Sequence, residues 1–366
     1  MAKSTAVRAA ARFRQLSCLG LGSEQVIPAL LGELHAIIPS HANTFFFADG
    51  AGGTANIHFE NPGFAKLFPL YQQEFLERGD RQFEGLSFSE AARTQFGVHE
   101  FRNAVKVEPN TFARSELNNL ILRPAGNDTN FLRLVFREGP RVLGALCMWR
   151  STGSGAWTSE EKRSLAALES FFVHALTAPT MDDVSLVDSG TSGLLIADAE
   201  GKLVSSSAVG RRVLFYATHA RIGPAYTDSE RIVLPRPLVR ICRDLARIYA
   251  DDPTAIAPTY RCANVWGGFS FRAQWLNGDN PALGQIGITV THEVPLPVRL
   301  MRSVKQLPLS RRQSEVCVLM ATGASSETVA EQLGISRSTA ITHGRGIYDK
   351  LDVHNRSELL TKLLTL

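Results

Sequence analysis

Disulfide chemistry, metal chemistry and membrane insertion are what this chain gives least sign of. Its five cysteines, Cys18, Cys147, Cys242, Cys262 and Cys317, stand far apart, with no Cys-x-x-Cys pair and no Cys/His spacing of a metal site. Buried free thiols and no bound metal are the expectation. The nine histidines are spread singly, without a His-x-x-x-His pair, and there is no Gly-x-x-x-x-Gly-Lys loop. No convergent catalytic set is visible, so the chain reads as neither an enzyme nor the holder of a cofactor. No apolar run approaches the roughly 18 residues that cross a bilayer, and the opening MAKSTAVRAAARFRQL lacks the hydrophobic core of a signal peptide. These absences predict a cytoplasmic protein with no membrane partner.

What is present fits a folded chain of several domains. Hydrophobic residues make up 44% and charged residues 20%, which excludes a disordered polymer, and 366 residues are too many for one ordinary core. The net charge is only +4, but nine Lys and Arg against six Asp and Glu from Met301 onward place +3 of it in the last sixth of the chain. That is where the sequence is most informative. Val316, Leu319 and Met320 recur at helical spacing and stop at Gly323; a second helix follows Ser325-Ser326 and stops at Gly334; a third begins after Ser336 and runs to Leu351. Two helices joined by a short turn containing glycine form a helix-turn-helix, whose second helix enters the DNA major groove. Within that helix Ala340, Ile347 and Leu351, with His343 or Gly344 between, fall on one stripe and are expected to face a core. Arg337, Ser338, Ile341, Thr342 and Arg345 fall on the other, suited to phosphate, base-edge and thymine-methyl contacts. A fourth helix over 354–364 carries Leu359, Leu360 and Leu363 on one side, for the small core or for a twin copy.

The segment LSRRQSEVCVLMATGASSETVAEQLGISRSTAITHGRGIYDKLDVHNRSELL resembles the LuxR-type (GerE-type) DNA-binding domain along nearly its whole length. Leu309, Ser310, Arg312, Glu315, Val316, Gly323, Ala330, Leu333, Ile335, Ser336, Thr339, Thr342, His343, Ile347, Tyr348, Lys350, Leu351, Asn355, Arg356 and Leu359 are among the matching positions. The resemblance adds His343 and Lys350 to the DNA-contacting candidates. It implies double-stranded operator DNA and RNA polymerase as partners, and a homodimer, because one recognition helix reads only a few base pairs. The chain departs from the pattern at Gln313, often Glu; at Ser338 and Ile341, usually basic; and at Gly344 and Gly346, usually polar. Fewer cations weaken phosphate attraction, and each glycine costs a helix about 1 kcal/mol.

Upstream, two helical stretches (4–16, 24–38) precede a hairpin about the glycine-rich turn at 49–53, helices over 62–78, 87–96 and 114–122, a second hairpin over 130–149, and a helix opened by Trp157-Thr158-Ser159-Glu160-Glu161. This order is similar to GAF sensory domains over 25–177, which implies a ligand pocket on one sheet face. Phe45, Phe47, Phe59, Phe64, Phe68, Tyr71, Phe83, Phe101, Met148 and Trp149 are the candidate walls, and ordinary core packing is the other reading of each. Strand, Asp-x-x-Gly turn, strand and helix from Thr191 to Tyr216, then a helix over 237–249 and strands over 259–265, 270–276 and 285–291, resemble a PAS domain spanning 184–294. Pro295-Leu296-Pro297 is expected to disfavour a continuous helix and to give a semi-rigid, partly helical join.

The expected architecture is multidomain α+β: a GAF-like sensory domain with an N-terminal helix over 1–179, a PAS-like domain over 184–294, a linker over 295–308, and an all-α tetrahelical helix-turn-helix domain over 309–366. A phosphorylated receiver input is disfavoured, since the first 40 residues hold only Glu24 and Glu33 as acids. The Trp and Tyr pattern of acyl-homoserine-lactone receptors is not found. Two functions remain: a transcriptional regulator responding to a small apolar or aromatic effector, or one whose upstream modules serve dimerisation or protein docking without a ligand. A haem or flavin is a third option, with no ligand His or reactive Cys clearly placed for it.

Overall fold

The computed structural model describes residues 2–50, 53–76, 78, 88–100, 107–126, 130–177, 185–221, 233–249, 257–276 and 285–366. They form two compact units, Met1–Thr180 with Arg221–Arg231, and Met181–Ala220 with Ile232–Leu366.

In the first unit α1 (Ala2–Ser17) and α2 (Ser23–Ile37) pack side by side across a buried ion pair, Arg12 Nη2 to Glu33 Oε2 at 2.7 Å. There follow β1 (Ala42–Gly50), β2 (Thr54–Phe59), α3 (Pro62–Leu70), which continues as a π-helical turn at Tyr71–Phe75, α4 (Phe88–Thr94), β3 (Val98–Glu100) and α5 (Pro109–Ala113). A second π-helical stretch, Leu117–Leu122, leads to β4 (Phe131–Glu138), β5 (Arg141–Trp149), α6 (Ser159–Ala166) and α7 (Glu169–Thr177). Strand β3 has three residues, too few for alternation to announce it. The capping box of α6 accounts for the Trp-Thr-Ser-Glu-Glu run: Thr158 accepts from the Glu161 amide, and Glu161 accepts from Thr158. Glu161 also pairs with Arg150 at 2.6 Å, and that guanidinium lies 3.9 Å from the Trp157 ring centroid. The hydrogen bond from Arg150 holds the Glu161 carboxyl below its ordinary range.

The five strands are antiparallel in the order β2-β1-β5-β4-β3. Alternation and register send Phe45, Phe47, Met148 and Phe136 to one face, where the rings of Phe136 and Phe172 on α7 lie 4.6 Å apart. Thr44, Phe59, Cys147, Trp149, Phe131 and Arg133 share the other face, which α3 covers: Phe59 is 4.8 Å from Phe68 and Trp149 is 6.3 Å from Phe64, centroid to centroid.

The second unit repeats the strand order. Its elements are β6 (Leu186–Ala197), β7 (Leu203–Ser206), α8 (Ala208–Thr218), α9 (Arg236–Tyr249), β8 (Thr259–Asn264), β9 (Gly267–Trp275) and β10 (Ile286–Pro295), paired β7-β6-β10-β9-β8. Strand β6 starts five residues before the expected Thr191, because Asp188-Ser189-Gly190, turn-like in composition, forms a bulge opposite His292 and Glu293. Pro295 and Pro297 do not interrupt the next segment. They stand at the N-cap and in the first turn of α10 (Leu296–Val304), where a missing N–H costs no helical bond, so the join is one helix. It buries Val298, Leu300, Met301 and Val304.

All five cysteines are free. Cys147, Cys242 and Cys317 are buried as expected, and burial pushes the Cys242 thiol up to about 11 and the Cys317 thiol up to about 12. Cys18 departs from the expectation: it follows the last residue of α1, Ser17 takes the buried position, and Cys18 is exposed.

Candidate nucleic-acid interface

Each helix of the C-terminal segment opens on a residue that can cap it. Ser310, Ser325, Ser336 and Asn355 precede α11 (Arg311–Thr322), α12 (Ser326–Leu333), α13 (Arg337–Leu351) and α14 (Arg356–Thr365), and accept the amides of Gln313, Thr328, Thr339 and Glu358. Such a cap contributes about 1 kcal/mol. Gly323 (φ 106°) and Gly334 (φ 60°) end α11 and α12 in the left-handed conformation that glycine adopts without strain. Buried Glu315 ties the first two helices together. It pairs with Arg312 at 2.6 Å and Arg311 at 3.3 Å, while Arg312 Nη2 donates to the Leu333 carbonyl at 2.9 Å.

These contacts fix how α13 is presented. Its buried stripe is Ala340, Gly344, Ile347 and Leu351. Arg337, Ser338, Thr342, Arg345 and Lys350 are exposed, and Ile341 and His343 are half-buried. Four of the exposed groups already have partners, Ser338 through a hydrogen bond between its hydroxyl and that of Ser336 at 2.8 Å. Arg337 Nε meets Glu327 Oε1 on α12 at 2.6 Å, Thr342 Oγ1 donates to the Ser338 carbonyl at 2.9 Å, and Lys350 Nζ donates to Gln313 Oε1 at 2.8 Å. Arg345 has no hydrogen bond or ion pair among the described residues and is free to meet a phosphate or a base edge. The carboxyl of Glu327 is held below its ordinary range by its own backbone N–H first, then by Ser325 and the Arg337 charge.

The two glycines of α13 have a role that helix propensity does not reveal. A Cβ at Gly344 would stand 3.3 Å from the Met320 sulfur, and one at Gly346 would stand 3.3 Å from Gln313 Nε2. Their absent side chains let α13 lie close against α11. The available signal was the position of Gly344 four residues after Ala340 on the core stripe.

The candidate ligand residues of the first unit divide between the two faces of its sheet. Phe45, Phe47 and Met148 point toward the α7 side, with Phe45 and Phe172 rings 6.2 Å apart. Phe59, Phe64, Phe68, Tyr71 and Trp149 cluster on the opposite side; Phe64 and Tyr71 are 5.6 Å apart. Phe83 and Phe101 lie outside the described residues. Beside Phe46 and Ala145 a cavity of about 10 Å³ has room for no more than a water. Among the described residues no helix is long and apolar enough to cross a membrane, and no group of three or more His, Cys, Asp or Glu could hold a metal ion.

Residues 307–363 match the family of bacterial regulatory proteins of the luxR type. Over 57 residues the chain is 37% identical to the HTH-type transcriptional regulator MalT of Vibrio campbellii, covering 16% of this chain and 6% of MalT. Over 54 residues it is 41% identical to the monoamine regulon transcriptional regulator of Klebsiella aerogenes, covering 15% of this chain and 24% of that one. The chain thus spans less than a quarter of the length of either relative. Among solved structures, the Vibrio cholerae VqmA dimer in the absence of target DNA aligns at 15% identity and a TM-score of 0.16, over 48% of this chain and 82% of that one. The phage VqmA–DPO complex aligns at 19% and 0.17, over 48% and 81%. Scores this low carry no argument about the upstream units. The C-terminal domain is a luxR-type helix-turn-helix.

Proposed function

We propose that the protein is a transcriptional regulator that binds operator DNA as a homodimer in the cytoplasm, with α13 in the major groove and the upstream units governing how two such helices are presented. The observation that carries this reading is the division of α13 into a buried stripe and an exposed face bearing Arg337, Ser338, Thr342 and Arg345. Arg345, unpaired among the described residues, is the residue best placed for direct readout. In fragments selected from genomic DNA by the full chain, Arg345→Ala should weaken binding roughly 10- to 100-fold, the effect of losing about 1–3 kcal/mol from a base-edge contact. Unchanged affinity, measured by fluorescence anisotropy at fixed salt, would remove Arg345 from the reading face.

In this reading the first unit is a GAF-like sensor of a small apolar or aromatic molecule, and the part of the second unit built on the β6–β10 sheet is a PAS-like module. Support comes from the aromatic cluster on one face of a fully covered sheet. A second reading has its own observation: Phe45, Phe64, Phe68 and Met148 are each no more than 2% exposed, as expected of plain core in a dimerisation scaffold without a ligand.

A further inference from the structure

The first sheet has a row of side chains that its hydrophobic role does not explain. Register aligns Thr44, Cys147 and Arg133 across β1, β5 and β4, and places Trp149 two residues beyond Cys147 on the same face. All four are buried: Thr44 is 1% exposed, Arg133 4%, Cys147 5% and Trp149 6%. Buried polar atoms nearly always find a partner. Here the Thr44 hydroxyl and the Trp149 indole N–H have none, and Gln72, in the turn that continues α3, has both amide atoms closed to solvent and unpartnered. Orphaned polar atoms occur elsewhere in the unit too, at Thr54, Asn130, Arg137 and Trp157 among others. The two donors share this face with Arg133, whose Nε and Nη2 donate to Gln95 Oε1 at 3.1 and 2.8 Å.

We infer that this face is the polar end of an effector site, taking a small, largely aromatic molecule through one acceptor oxygen, carbonyl or carboxylate, bound by Trp149 Nε1 and Thr44 Oγ1. Phe64 and Phe59 supply the apolar wall. Indole N–H can only donate, so the ligand atom it meets must accept. The inference rests on reading the first unit as a sensor, and it adds the chemistry that the effector must carry.

The test uses the full chain with benzoate and phenylacetate as anionic probes, and benzamide and phenylacetamide as neutral ones. Melting temperature and retention of the selected DNA are both measured. At least one probe should raise the melting temperature, and Thr44→Val and Trp149→Phe should each weaken its binding about tenfold or more, the loss expected for a buried hydrogen bond. Tighter binding of the acids than of the amides assigns a carboxylate; equal binding assigns a carbonyl. Both support the site. Without ligand, Thr44→Val should melt at or above the wild-type temperature, since it removes an unsatisfied hydroxyl; a clear drop would mean a structural hydroxyl and overturn the site. A probe that binds both variants as it binds the wild type would overturn the site and leave the sensor reading standing. If no probe alters melting or DNA retention, both fall and the scaffold reading replaces them.

Discussion

The same strand order occurs twice in this chain, and the two sheets differ in what their faces meet. In the first, both faces are covered: Phe45, Phe136 and Phe172 stack under the helices on one side, and Phe59, Phe64, Phe68 and Trp149 lie under α3 on the other. In the second, Leu195, Phe271, Ile288 and Val290 are buried on one face, while the reverse face leaves Leu194, Arg272, Gln274 and Thr289 exposed. The second sheet is instead connected at its end. Its strand β10 passes directly into α10, whose buried Arg299 donates from Nη1 to Ser303 Oγ at 3.1 Å and from Nη2 to the Leu364 carbonyl, in the last turn of α14, at 3.0 Å. A cation at the C-terminal end of a helix is favourably placed against its dipole. An identical topology thus serves as an enclosed core in one unit and as a mount for the DNA-binding helices in the other.

Three substitutions probe that contrast. The largest effect belongs to the enclosed sheet. Phe136→Ala empties a position with no exposure, and should destabilise the first unit by about 3–5 kcal/mol in urea unfolding followed by tryptophan fluorescence. A loss under about 1 kcal/mol would mean that the sheet is not the core of its unit. The mount comes next. Arg299→Met keeps the apolar stem and removes both guanidinium bonds, so the second unit should lose about 1–3 kcal/mol. Calorimetry should then separate the melting of the α11–α14 domain from that of the β6–β10 sheet; a single unshifted transition would deny α10 its connecting role.

The smallest effect is a dependence on pH. The His292 imidazole stacks on Phe269 at 5.2 Å and bonds through Nε2 to the Trp266 carbonyl, and burial lowers its pKa. The unfolded chain therefore takes up this proton more readily than the folded one. The second unit should lose stability as pH falls below the unfolded value of about 6.5, levelling off below the lowered folded value. His292→Gln should flatten the melting temperature of that unit across this window; an unchanged slope would assign the dependence to other groups.

Much of the C-terminal domain could be read without a structure because its signals are local. Ser310, Ser336, Gly323 and Gly334 act on amides and carbonyls within about one helical turn, so residue type and spacing suffice. The hairpins β1–β2 and β4–β5 were legible for the same reason. Sequence reading went astray where a local preference was overridden. The strand expected from Thr191 begins at Leu186, with Asp188-Ser189-Gly190 as a bulge inside it, and the prolines about Leu296, expected to disfavour a continuous helix, start one.

Residue type and short-range spacing determined the helix-turn-helix, the exposed face of α13 and the presence of two mixed α+β units. Tertiary structure alone decided which candidates share a face, since Ala42 pairs with Trp149 and Leu186 with Pro295 across more than a hundred residues of chain. It also decided that Trp149 and Thr44 are buried without partners, and that Arg299 reaches Leu364. Caps and turns are set by backbone groups a few residues apart, whereas burial and polar satisfaction depend on every element that packs over a position, and a periodic pattern holds no record of those elements.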